Sequence, residues 1–384
     1  MKIALVIERF DPSRGGREVS TAQVASALAR RGHEVAIFCQ SCREACEHVR
    51  VLPLKSRGLD RASRLASFVK SVRGAAEEGG YDIVHATLPV PGANVYQPRG
   101  GLVGAQAAAS LRRRRGADRF AATLAEPLNP HRRKMRRLER KLVGDPNTLC
   151  LAVSEMIARE FMHYYARSQR VRVIYNAVEI PDVSREQRGE WRRAFRERVG
   201  AGPGSPVFLI VAKNFDLKGV PEAIEAFAQW HHSQAGPPGA RLVIVGRSKV
   251  GRYRRMAARK KVARQVAFIA PTDEIFPWYA AADACLLLSW YDPCSRVVLE
   301  ATRWGIPSIT TVYNGAAEIL ARGAGIVVGS PRDTPAVVKA MDELADPLRR
   351  AERSRACGQV ADQLKMDRHV DELLDAYGQV VGRT

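Results

Sequence analysis

Two carboxylates eight positions apart, Asp292 and Glu300, stand in the segment YDPCSRVVLEATRWGIPSITT, across an expected loop-to-helix junction. Glu300 is flanked by Val297, Val298, Leu299, Ala301 and Trp304, and a charge in apolar surroundings is costly unless a partner satisfies it. Helical side chains lean toward the N-terminus, so a Glu in the second turn reaches back to a ligand at the helix start. A ribose diol there would give it two hydrogen bonds. Asp292, on an approach stiffened by Pro293, is placed to accept from the hydroxyls of a sugar at the other end of the same ligand. A plainer role also fits both: Asp292 as a cap or turn residue, Glu300 in a structural ion pair.

The second element is AKNFDLKG, in which Lys213 ends an expected strand and Lys218 stands five positions later, before a helix. Two ammonium groups there can flank a diphosphate and stabilise the negative charge that develops as a nucleoside diphosphate departs. Each is also the kind of residue that decorates a solvated surface. No Asp-x-Asp pair occurs in the chain, so a divalent metal has no obvious site and the lysines would take over its work. Gly15-Gly16 permits close backbone approach to a phosphate, or makes a plain turn. His85 ends the YDIVH strand, where an acceptor-side acid or base would sit; a structural histidine is the other reading. Cys39, Cys42, Cys46 and His48 are spaced loosely like a metal set, but zinc ligands normally come as two separated knuckles, and Cys39 reads better as the apolar end of a strand.

These residues need elements to hold them. Short β-branched runs alternate with longer helical patterns throughout, as expected when parallel strands are linked by crossover helices. IALVI, EVAIF, YDIVH and LCLAVS supply strands in the first half, with a helix from about Glu18 to Arg31. VFLIVA, LVIVG, VAFIA, ACLLL, PSITT and GIVV supply them in the second, with a helix beginning near Pro221. The predicted fold is α/β: two facing Rossmann-like domains with a donor cleft between them, residues 1–178 and 179–366, and a final helix, 367–384, able to pack back on the first. Ligands of such sheets lie at the carboxyl ends of the strands, where helix N-termini expose N–H groups.

A chain of 384 residues is longer than one core usually grows, which also predicts two domains. The opening MKIALVIERF has an apolar run too short for a signal peptide and reads as a strand. No stretch reaches the roughly 18 apolar residues that span a bilayer. Seven scattered cysteines then read as reduced thiols, and a cytoplasmic location is expected. The net charge of +21 must draw some polyanion or anionic surface. It concentrates in Arg112 to Arg115 and in HRRKMRRLERK from His131 to Lys141, which are solvated helical faces in the plainer reading. These runs carry no aromatic stacking residues and no nucleic-acid module, which argues against nucleic acid and for the inner face of a membrane.

In order along the chain, the Gly15-Gly16 loop, Tyr175-Asn176-Ala177-Val178-Glu179, Lys213 with Lys218, and Asp292 with Glu300, Ala301 and Gly305-Ile306-Pro307 resemble the retaining glycosyltransferases of the GT-B fold. This is the family that holds bacterial lipopolysaccharide-core and capsule transferases. Phe215 to Val220, Gly246 to Lys249 and Ala280 to Asp283 are most similar in layout to the enzyme adding glucose to the inner-core heptose. The resemblance implies a hexose, UDP-glucose as the best choice, moved onto a glycan or glycolipid without cofactor or metal. It implies that Glu300 holds the donor ribose, Asp292 the sugar, and Lys213 and Lys218 the diphosphate. Backbone at Ser295, Arg296, Val297, Gly15 and Gly16 would complete the phosphate cradle, with Glu18, His85 and Asn176 on the acceptor side. The family usually carries Glu where Asp292 stands, Arg where Lys213 stands, and a small Gly-containing stretch at Pro293 to Arg296. Lysine cannot make arginine's bidentate contact, and Arg296 adds a charge beside the donor. A same-fold epimerase or glycogen-type synthase, or an inactive binder, fits the same motifs.

Overall fold

The computed structural model describes residues 1–233 and 236–382. The chain divides into two compact units, Met1–Ala177 with Lys365–Thr384, and Val178–Leu364.

The first unit is built on a seven-stranded parallel sheet: β1 (Lys2–Val6), β2 (Glu34–Cys39), β3 (Arg50–Pro53), β4 (Ile83–Ala86), β5 (Val95–Tyr96), β6 (Leu149–Ala152) and β7 (Val171–Val173). Its order is β3-β2-β1-β4-β5-β6-β7, the doubly wound arrangement that reverses direction between β1 and β4. The short strands β3, β5 and β7 have no clear period in the sequence, because two to four residues carry too little alternation. Central strands are buried on both faces, as a parallel sheet covered by helices requires. The last helix, Met366–Val381, belongs to this unit. Its stripe of Met366, Val370, Leu373, Ala376, Tyr377 and Val380 enters the core formed by β1, β2 and the helix Gly16–Arg30. Arg31 pairs with Asp371 at 2.6 Å along its exposed edge.

The second unit repeats the plan with six parallel strands: β8 (Val207–Ala212), β9 (Arg241–Gly246), β10 (Val266–Ile269), β11 (Ala284–Leu287), β12 (Ser308–Thr311) and β13 (Gly325–Val328). Their order is β10-β9-β8-β11-β12-β13, reversing between β8 and β11. The helix Arg185–Glu197 is held to this unit by a charge network around the buried Asp283. Asp283 accepts from Arg192 at 2.6 Å, Arg196 at 3.1 Å and the Val207 N–H at 2.9 Å. Burial pushes the Asp283 carboxyl up, but the surrounding arginines outweigh it and hold the group below its ordinary value.

Candidate functional site

The reversal point of the second sheet gathers the residues with chemical potential. Lys213 directly follows β8, and the segment from Ser289 to Ser295 follows β11, its neighbour in the sheet. Two glycines allow the strand ends to close up. Gly246 ends β9 at φ +145°, and a Cβ there would stand 1.7 Å from the Ala212 carbonyl oxygen. Gly219, at φ +69°, starts the helix Val220–His232, and a Cβ there would stand 2.0 Å from the Leu288 carbonyl oxygen. Only glycine combines that conformation with that approach. The Lys218 turn is thereby laid against the chain leaving β11, where the Trp290 N–H donates to the Leu217 carbonyl at 2.9 Å.

In that setting the Lys218 ammonium donates to the Asp292 carboxylate, both side chains largely buried. The sequence reading assigned the two to different parts of a ligand; the folded chain pairs them with each other. Glu300 lies on the helix Arg296–Arg303 and is sheltered from water. Its Oε2 accepts from the Tyr279 hydroxyl at 3.0 Å and its Oε1 from Arg296 at 3.2 Å. Burial raises the Glu300 carboxyl above the ordinary glutamate value, with Arg296 and Tyr279 opposing the rise.

Asn314 is a site residue that the sequence reading did not single out. It is 1% exposed; its Oδ1 accepts from the N–H groups of Ser295 at 3.2 Å and Ala316 at 3.1 Å, and its Nδ2 donates to Thr310 Oγ1 at 2.9 Å. Backbone bonds reinforce it, Asp292 N–H to the Tyr313 carbonyl and Gly315 N–H to the Asp292 carbonyl, each 2.9 Å. The loop carrying Asp292 is thus sewn to the loop after β12. The Ser295 N–H, expected in the phosphate cradle, donates to Asn314. No side chain caps the helix that begins at Arg296, so its first turn, including Val297, keeps the N-terminal character that favours anions.

In the first unit, Gly15 adopts φ +155° and starts the helix Gly16–Arg30, whose N-terminus is likewise uncapped by a side chain. Glu18 stands in its first turn, 4.0 Å from Arg17, and Asn176 lies buried at the end of the unit's first segment. His85 does not stand at an open strand edge. It is 1% exposed, with Nδ1 2.6 Å from the Tyr377 hydroxyl, because the C-terminal helix covers the end of β4. Burial, with Arg99 adding to it, holds its imidazole well below the ordinary histidine value, so the ring is neutral. Cys39 ends β2, fully buried, and burial pushes its thiol up to about 12. Among the described residues no group of three or more His, Cys, Asp or Glu is arranged to hold a metal ion.

Two Rossmann-like units, one carrying cations and sheltered carboxylates at its sheet reversal, make up the architecture of the GT-B fold. Residues 205–346 match the family of Glycosyl transferases group 1, and residues 14–180 match Glycosyltransferase Family 4. The two halves of the chain thus match glycosyltransferase families, Family 4 in the first and group 1 in the second. The chain is 26% identical over 345 residues to the lipopolysaccharide glucosyltransferase WaaG of Escherichia coli K12, covering 86% of each chain. It is 27% identical over 396 residues to a D-inositol 3-phosphate glycosyltransferase of Actinosynnema mirum, covering 95% of this chain and 92% of that one. Among solved structures, WaaG superposes with a TM-score of 0.80 at 21% identity, covering 99% of this chain and all of that one. Anabaena HepE, in a complex with UDP and glucose, superposes with a TM-score of 0.72 at 18% identity and 98% coverage of both.

Proposed function

We propose that this glycosyltransferase is a retaining hexosyltransferase that needs no metal, uses UDP-glucose, and acts on a glycan or glycolipid such as a lipopolysaccharide core sugar. The observation that carries the reading is the meeting of Lys218, Asp292 and the Glu300 helix at the reversal of the second sheet, beside Lys213. The likeness to a lipopolysaccharide glucosyltransferase supports the choice of sugar and acceptor. In this reading the ribose diol donates to Glu300, the donor sugar's hydroxyls meet Asp292, and the diphosphate lies against Lys213, Lys218 and the start of the helix at Arg296. The acceptor oxygen bonds to the anomeric carbon on the face from which the phosphate oxygen leaves. The acceptor proton passes to that departing oxygen, and the lysines offset its charge.

Calorimetric titration in EDTA against UDP, UDP-glucose, GDP-mannose and a short DNA duplex tests the reading, with NMR of the product's anomeric configuration once an acceptor is found. Micromolar binding of UDP-glucose and a retained configuration support it. Binding of DNA alone, falling steeply with salt, would sink it.

The enzyme also docks, in our reading, on an anionic membrane surface. No helix among the described residues is long and apolar enough to cross a membrane. The helix Gly116–Ala125 buries none of its side chains, and Phe120, Leu124 and Leu128, four residues apart, are 68%, 60% and 73% exposed. Between Arg112 and Lys141 stand twelve arginines and lysines against Asp118, Glu126 and Glu139. Five of the twelve, Arg133, Arg136, Arg137, Arg140 and Lys141, line one groove of about 400 Å³. Apolar side chains inside a basic surround suit the headgroup boundary of an anionic leaflet. Flotation with phosphatidylcholine vesicles containing phosphatidylglycerol is expected to carry the protein at low salt and less of it at high salt. The triple change Phe120→Ser, Leu124→Ser, Leu128→Ser is expected to weaken partitioning roughly tenfold or more, from lost apolar burial. Equal flotation with neutral vesicles, or none with anionic ones, contradicts the docking.

A further inference from the structure

The Glu300 carboxylate is held by two donors, one on each oxygen, and the two come from different elements. Tyr279 reaches it from the helix Ile275–Ala281, and Arg296 from one turn earlier on its own helix. Arg296 is itself enclosed, with a side chain 10% exposed, so this is not a solvated surface pair. Each carboxylate oxygen accepts two hydrogen bonds. With one direction on each oxygen already filled from the protein side, the remaining two stay available to a vicinal diol. The other titratable group facing the carboxylate is Cys285 on β11, whose thiol burial pushes up to about 12, leaving it neutral. Arg296 is therefore the cation that balances Glu300, among charged and titratable groups that otherwise comprise the neutral Tyr279 hydroxyl and this thiol.

We propose that Arg296 is a positioning residue for donor binding: its guanidinium fixes the Glu300 carboxylate and keeps it ionised, so that it meets the ribose as an oriented acceptor. The proposal rests on the reading that Glu300 holds the donor ribose. It gives a function to the Arg296 side chain, where the sequence points only to a backbone place in the phosphate cradle and an added charge beside the donor. The sign of the pH effect follows from the geometry. A carboxyl already raised by burial rises further when its cation is removed, and the protonated form accepts the diol poorly. Binding that needs the ionised form is lost as pH falls through that value, so without Arg296 the loss begins at higher pH.

The test is the pH dependence of UDP-glucose binding, from pH 4.5 to 8.5, with GDP-mannose as a second probe, because the ribose is common to both and a diphosphate esterified at both ends lacks the terminal ionisation at about pH 6 that free UDP and GDP carry. Parent, Arg296→Leu, Arg296→Lys and Glu300→Gln are compared, each first shown by thermal melting to be folded. The expected result is an acid limb displaced upward by about one pH unit, a tenfold change in proton concentration, in Arg296→Leu. Arg296→Lys should restore most of the displacement, and Glu300→Gln should abolish the limb while weakening binding. An unshifted limb in Arg296→Leu, with Glu300→Gln still impaired, overturns the role of Arg296 and leaves the ribose reading standing. Glu300→Gln binding as tightly as the parent overturns the ribose reading, and the role of Arg296 with it.

Discussion

Glu300→Gln is expected to weaken UDP binding by at least a hundredfold while leaving the fold intact. The carboxylate is sheltered, already braced by Tyr279 and Arg296, and lies in the second turn of a helix whose first turn is uncapped. Hydrogen bonds to a charged group contribute roughly 1.5–3 kcal/mol each. Two ribose hydroxyls donating to Glu300 would therefore contribute about 3–6 kcal/mol, or two to four orders of magnitude in Kd. The amide keeps the shape and one acceptor but loses the charge, and its NH2 faces a donor. Alanine is a poorer probe, because it leaves the Arg296 guanidinium and the Tyr279 hydroxyl buried without an acceptor, a loss of about 1–3 kcal/mol of stability. Titration of the Gln variant with UDP is decisive: a Kd within threefold of the parent means that Glu300 is a structural ion-pair residue.

The second large effect belongs to Lys218. Its ammonium is paired with Asp292, and a strand-end turn that only Gly219 can make carries it there. If the lysine meets the charge of the departing diphosphate, Lys218→Met is expected to lower kcat by about 10²–10³, the range seen when one donor to a developing oxyanion is removed. The donor KM should move much less, since a charge that grows in the transition state is felt there more than in the ground state. Initial rates of UDP release from UDP-glucose give both constants. A purely structural pair makes a different forecast. Removing one partner would then leave the other charge uncompensated, and the double variant Lys218→Met, Asp292→Asn would recover the parent rate. Recovery of that kind would falsify the catalytic role.

Some of this architecture can be read from the chain. Buried β-branched runs such as Ile3 to Ile7 and Val207 to Ala212 announce their strands because both faces of a parallel strand are covered and the run is continuously apolar. The helix beginning near Pro221 is equally legible, since proline favours the first turn and the observed helix starts at Val220. The two-residue strand β5 is not legible, because the pairing that makes it a strand comes from β4 and β6 on either side. The interior position of His85 is hidden for a similar reason: its cover is Tyr377, 292 positions away.

The sequence by itself determined the alternation of strands and helices, the two Rossmann-like repeats, and the order in which Lys213, Lys218, Asp292 and Glu300 occur. Those properties follow from side-chain period, turn chemistry and helix preference, which act over a few residues. Tertiary structure decided which of these residues meet. Lys218 and Asp292 pair across 74 positions because β8 and β11 are neighbours at the sheet reversal. Asn314 takes the Ser295 N–H from 19 positions away because β12 lies beside β11. Strand order is a global property of packing, set by which apolar faces can be buried together, and no local pattern encodes the partner a given side chain will find.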